Sequence, residues 1–167
     1  MKKLISPILV AIVILLPACH SKTKTADIDI VAVKSMVASL LDNFHSSMQA
    51  KDAVKYMSLL AADGLYCGTD SKELMGQTEL AETVNQEFAN MKDLPKYSIS
   101  TREIRVSADG NSAIAMDQFT FPLYSEKMPI RVIFHAIKIG TEWKIDFFSW
   151  SFIPNNQDIP KLNEALK

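Results

Sequence analysis

With 167 residues the chain can form one domain of ordinary size, and two would each be small. Hydrophobic residues make up 48% and charged residues 22%, with only 5 Gly and 7 Pro, a globular composition that excludes collagenous, low-complexity and disordered classes. Lys and Arg number 18 against 19 Asp and Glu, so there is no electrostatic basis for a nucleic-acid partner; two Cys and three His cannot build a structural zinc site of the usual kind.

Met1-Lys2-Lys3 is a short basic start, and the 13 residues from Leu4 to Leu16 are apolar apart from Ser6 and Pro7. Such a run is shorter than a membrane span and has the length of a signal-peptide core. It ends in Leu16-Pro17-Ala18-Cys19, which resembles the lipobox of bacterial lipoproteins. The resemblance implies cleavage after residue 18, acylation of Cys19 and a bacterial cell-envelope location with the membrane reached through the lipid anchor. Residues 19–27 are then a polar tether, residues 28–155 the domain and residues 156–167 a C-terminal tail. Cleavage removes Lys2 and Lys3 and takes the formal net charge from −1 to −3. Once Cys19 is acylated, Cys67 has no intrachain partner, so no disulfide is expected to staple the domain.

From Ile30 the residues Val33, Val37, Leu40, Leu41, Phe44 and Met48 recur at spacings of three and four, predicting an amphipathic helix of about five turns that ends near Ala50, with Asp27 or Asp29 in its first turn. Asp52 is placed to cap a second, shorter helix. Leu65-Tyr66-Cys67 reads as a strand running into a Gly68-Thr69-Asp70-Ser71 turn. Thr78 is a plausible cap for a third helix carrying Leu80, Val84, Phe88 and Met91, stopped by Asp93 and Pro95. Thereafter the period changes. A strand from Tyr97 to Ala108 switches its apolar parity, predicting a bulge near Thr101 to Glu103. Asp109-Gly110-Asn111 is a hairpin turn, and strands follow over residues 112–123, 130–139 and 143–153. Three helices followed by an antiparallel meander predict an α+β fold with helices covering one face of a curved sheet.

The stretch from Leu40 to Phe88, with Gly68-Thr69-Asp70, Glu73 and Met75-Gly76 before a helix, and the C-terminal Arg131, Trp143-Lys144-Ile145 and Ser151, resemble the SnoaL-like domains of the nuclear transport factor 2-like superfamily. The likeness spans Asp29 to Ile153. It implies a cone-shaped, cystatin-like roll in which a bent antiparallel sheet wraps a long helix and leaves a pocket at the open end. The superfamily holds isomerases, cyclases, dehydratases, assembly domains and binding proteins, so the fold does not fix the function. Where family members commonly carry a His six residues after the Trp, this chain has Ser149, and it has Met75 at a position that is commonly aromatic.

On the last two strands the odd positions carry Arg131, His135, Trp143, Ser149 and Ser151, and this face is expected to line the cone. Arg131 could clamp an anion, or pair with Asp117 or Glu103. The expected site is therefore a pocket for an apolar or anionic small molecule walled by Arg131, His135, Trp143, Ser149 and Tyr66. Asp117 and His135 are the candidate general bases should the domain be an isomerase, dehydratase or cyclase. His45, at the edge of the first helix's apolar stripe, is expected at the surface. The even positions Phe134, Phe148, Trp150 and Phe152 are expected on the outer face, where a second copy would cover them as a homodimer. A non-catalytic binding or assembly role is favoured, with neither metal nor cofactor expected.

Overall fold

A computed structural model describes residues 28–167. The helix α1 (Ile30–Gln49) begins at Asp29, whose side chain accepts from the Ala32 N–H at 2.9 Å. It satisfies one of the donors that a helix start leaves open. All six residues of the predicted apolar stripe are buried. Lys51, in the left-handed region with φ 54°, turns the chain, and Asp52 caps α2 (Ala53–Ser58) by accepting from the Lys55 N–H at 2.9 Å. Then come β1 (Leu60–Cys67), β2 (Leu74–Met75) and α3 (Gln77–Asn90). The cap of α3 is Gly76, with no side-chain hydrogen bond, so Thr78 lies inside the first turn and does not cap.

The second half is β3 (Thr101–Val106), β4 (Ser112–Phe119), β5 (Ile130–Ile139) and β6 (Glu142–Phe152), followed by a 3-10 turn (Asn156–Asp158) and α4 (Ile159–Ala165). Strands run β2-β1-β6-β5-β4-β3 in one six-stranded sheet. Every pairing is antiparallel except β1 with β6, which is parallel. Residues 97–100 precede β3 and are not strand, so the parity switch there comes from irregular backbone and not from a bulge. The bulge lies instead in β6. His135 faces Phe147 and Ala136 faces Ile145, leaving Asp146 as the extra residue.

That bulge decides which residues form the core. On β5 the even positions Ile130, Val132, Phe134 and Ala136 are buried against the helices. On β6 the inward set is Trp143 and Ile145 before the bulge, and Phe148 after it. The concave face is thus mainly even, the reverse of the expected assignment. Phe44 of α1 sits at its centre, with ring centroids 4.7 Å from Tyr56, 5.2 Å from Phe134 and 5.6 Å from Phe148. Each such buried side chain contributes roughly 1.5–3 kcal/mol relative to exposure, and aromatic pairs at these separations add to that.

Candidate functional site

Behind the middle of α1 a polar cluster is enclosed in the core. Asp117, on an inward position of β4, is fully buried. Its Oδ1 accepts from Arg102 Nε at 2.7 Å, and its Oδ2 accepts from Arg102 Nη2 at 2.8 Å and from His45 at 2.9 Å. The carboxylate can only accept, so His45 Nε2 carries a proton and donates it. The other ring nitrogen, Nδ1, lies 2.9 Å from the Tyr97 hydroxyl, and Arg102 also donates to Asp42 Oδ1 at 2.6 Å. Burial pushes the Asp117 carboxyl up, but the hydrogen bonds from His45 and Arg102 together with the guanidinium charge outweigh it and hold it below the usual carboxylate value. The cluster ties α1 to β3 and β4. His45 is consequently a core residue and not a surface one.

The cavity lies elsewhere, between α2, α3, the loop after β1 and the far end of β6. It opens to solvent and offers about 90 Å³, room for roughly six to nine waters at the usual ~10–15 Å³ each on this measure. Its wall carries the aromatic residues Tyr56, Phe88, Phe121, Tyr124, Phe148 and Trp150 together with aliphatic and Met side chains. Two carboxylates, Glu73 and Glu87, line it, and among the described residues no Lys, Arg or His does. Glu73 is set by the Gly68-Thr69-Asp70 segment: the Gly68 N–H donates to the Glu73 carbonyl at 3.0 Å, and the Asp70 N–H donates to Glu73 Oε2 at 3.0 Å. A Cβ on Gly68 would overlap the Glu73 carboxyl, so only glycine lets this side chain fold back over the loop. Glu87, on the outer part of α3, is raised above the usual carboxylate value by burial and then by the Glu73 charge.

None of the five residues expected to wall the pocket lines this cavity. Arg131 points outward from the convex face and donates to Gln118 Oε1 at 3.0 Å, so its partner is neither Asp117 nor Glu103. His135 is also on the convex face, paired with Asp146 at 2.7 Å, and Ser149 shares that face through its pairing with Ile133. Tyr66 is fully buried beneath the sheet, its hydroxyl donating to the Ala61 carbonyl at 2.7 Å. Trp143 is buried with no acceptor at its indole Nε1. The residues expected at the dimer contact are likewise displaced. Phe134 and Phe148 are core, Trp150 lines the cavity, and Phe152 stacks edge-on against Tyr124 at 5.7 Å. On β6 the cause is the bulge, which shifts parity so that Trp143 faces inward and Ser149 outward; β5 carries no bulge, and its odd positions, Arg131 and His135 among them, face outward throughout. Cys19 lies outside the described residues.

The sequence profile of the SnoaL-like domain matches residues 37–155. The chain belongs to the SnoaL-like family. Its fold is shared with an NTF2-like protein of unknown function from Pseudomonas putida KT2440, at 12% identity and TM-score 0.65, over 76% of this chain and 91% of that one. A putative calcium/calmodulin dependent protein kinase II association domain from Xanthomonas campestris matches at 24% identity and TM-score 0.57, covering 71% of this chain and 86% of that one. A putative ketosteroid isomerase from Parabacteroides distasonis ATCC 8503 matches at 14% identity and TM-score 0.57, covering 70% and 85%. No curated protein matches the sequence. As in the SnoaL-like resemblance read from the sequence, Gly68-Thr69-Asp70 and Glu73 form one unit, and here that unit presents a carboxylate to the cavity.

Proposed function

We propose that this SnoaL-like chain is a non-catalytic binding domain that holds a small molecule in the aromatic cavity between α2, α3 and the end of β6. The observation that carries the reading is the separation of the cavity from Asp117 and His135, the candidate general bases. Asp117, His45 and Arg102 satisfy one another away from it, and His135 is on the opposite face of the sheet. A pocket with apolar walls and a few polar groups is the usual form of a small-molecule site. One observation favours proton transfer instead: Glu87, with its raised carboxyl, shares the cavity with the Tyr56 phenol.

A homodimer through the convex face belongs to the same proposal. With Phe134 and Phe148 turned inward, the apolar side chains left on that face include Leu65, Ile114, Met116, Ile133, Ile137, Ile139 and Phe147, of which Ile114 is 57% exposed. They run across four adjacent strands, which is the self-complementary surface a two-fold contact requires. Native mass spectrometry of the purified protein is expected to give twice the chain mass plus a small retained ligand. A monomer without adduct argues against both parts. After incubation in deuterated water and back-exchange in ordinary water, deuterium retained at a carbon of the ligand would turn the reading from binding to proton transfer.

The lipid anchor at Cys19 is proposed on the lipobox alone. Cys19→Ser is expected to move the protein from the membrane fraction to the soluble one, and an unchanged distribution would refute it.

A further inference from the structure

The charge inside the cavity has one sign. Among the described residues, Glu73 and Glu87 are its only ionisable side chains apart from tyrosines. Glu73 has one oxygen engaged by the Asp70 N–H, and Glu87 accepts no hydrogen bond among the described residues. No basic side chain among the described residues lines the wall to neutralise them. Glu73 is half-buried and Glu87 exposed, so both carboxylates stand where the cavity meets solvent, and a cation held there would be attracted by both.

The wall suits the same occupant. Ring faces carry negative potential, and an ammonium within about 6 Å of a Tyr or Trp face is attracted to it, more so where water is excluded. The Tyr56 hydroxyl opens onto the same space. We propose that this cavity binds a small organic cation, an alkylammonium whose charge sits between Glu73 and Glu87 and whose alkyl part lies against the aromatic wall. This rests on the reading of the cavity as a binding site, and it replaces the anion expected from Arg131.

The volume limits the alkyl part to a few carbons. Binding requires ionised carboxylates, so affinity should be full at neutral pH and fall as the pH drops through the carboxylate range, beginning above the ordinary glutamate value because Glu87 is raised.

The experiment uses the full-length protein in a non-ionic detergent with three probes of equal size: n-butylammonium, n-butanol and n-butyrate. Saturation-transfer NMR at pH 7 is expected to show n-butylammonium bound at least tenfold more tightly than n-butanol, with n-butyrate not bound. The Glu73→Gln/Glu87→Gln double variant should lose that tenfold advantage, keep n-butanol binding and melt at the wild-type temperature or above. Binding of n-butyrate as tight as that of n-butylammonium, or a double variant with undiminished preference for the cation, overturns the charge reading while the binding reading stands. If none of the three probes binds, both readings fall.

Discussion

Replacing Asp117 with alanine is expected to lower the unfolding free energy by about 3–5 kcal/mol, the cost of removing one partner from a buried ion pair. The fully buried carboxylate receives two bonds from Arg102 and one from His45. Without it, a guanidinium that is mostly enclosed retains only Asp42 and a long contact to the Ala38 carbonyl, and His45 Nε2 has no acceptor. Asp117→Asn keeps an acceptor and the volume, and should cost less than alanine. Urea titration at pH 7 measures both. The pH dependence has a definite sign: the folded carboxyl is held below its ordinary value, so its contribution is complete above the unfolded pKa of about 3.9 and is lost as pH falls through the folded value. Wild type and Asp117→Ala should therefore converge in acid. A loss under about 1 kcal/mol at pH 7, within the range of exposed ion pairs, would show that the cluster does not hold α1 to the sheet.

Gly64→Ala is expected to destabilise by about 3 kcal/mol, the upper part of the range for overpacking a filled core. Tyr66 folds back along its own strand so that its hydroxyl reaches the Ala61 carbonyl at 2.7 Å and the Ile145 carbonyl at 3.1 Å, and the ring then lies over Gly64. A Cβ at position 64 would overlap the phenol ring and meet the backbone oxygen of Asp146 at 2.8 Å. The backbone atom cannot step aside as a side chain would. Shortening the ring to leucine in a Gly64→Ala/Tyr66→Leu double variant should recover part of the loss, and a double-mutant cycle reads that coupling. Strictly additive losses would mean that the Tyr66 ring is not what requires glycine.

Much of this architecture is legible in the sequence, and the exceptions have identifiable causes. The stripe from Val33 to Met48 is long and strictly periodic, and α1 forms where it predicts. Asp52, Gly110 and Gly140 mark turns through local chemistry that tertiary contacts do not override, the two glycines at φ 68° and 62°. The inward position of Asp117 was available in principle, since Ala113, Ala115 and Phe119 share its parity and are buried with it. The two faces of β4 are so alike in apolarity that alternation alone could not choose. On β6 a single inserted residue, Asp146, transposes every assignment on one side of it, and nothing local in Ile145-Asp146-Phe147 announces a bulge. Both faces of that strand are apolar, so the usual polar check is missing. The cavity draws Tyr56, Glu73, Glu87 and Trp150 from four separate elements, and only Glu73 belongs to a recognisable motif. His45 reads as a surface residue in the sequence because its partners, Asp117 on β4 and Tyr97 ahead of β3, lie 72 and 52 residues away.

The parallel pairing of β1 with β6 also bears on how the chain acquires its structure in time. Leu65 to Cys67 align with Phe147 to Ser149, so residues some 80 positions apart must meet before β1 has a neighbour on its long side. Contacts of such separation form slowly, because the closure of the intervening loop must be met before they return anything. A chain emerging from the ribosome presents α1 and β1 first and the strand that seals them nearly last, so the first half waits unsealed through most of synthesis. Truncation just before β6 would therefore leave Phe44 and Tyr66 uncovered together, and the polypeptide becomes a folded object only when its final strand arrives.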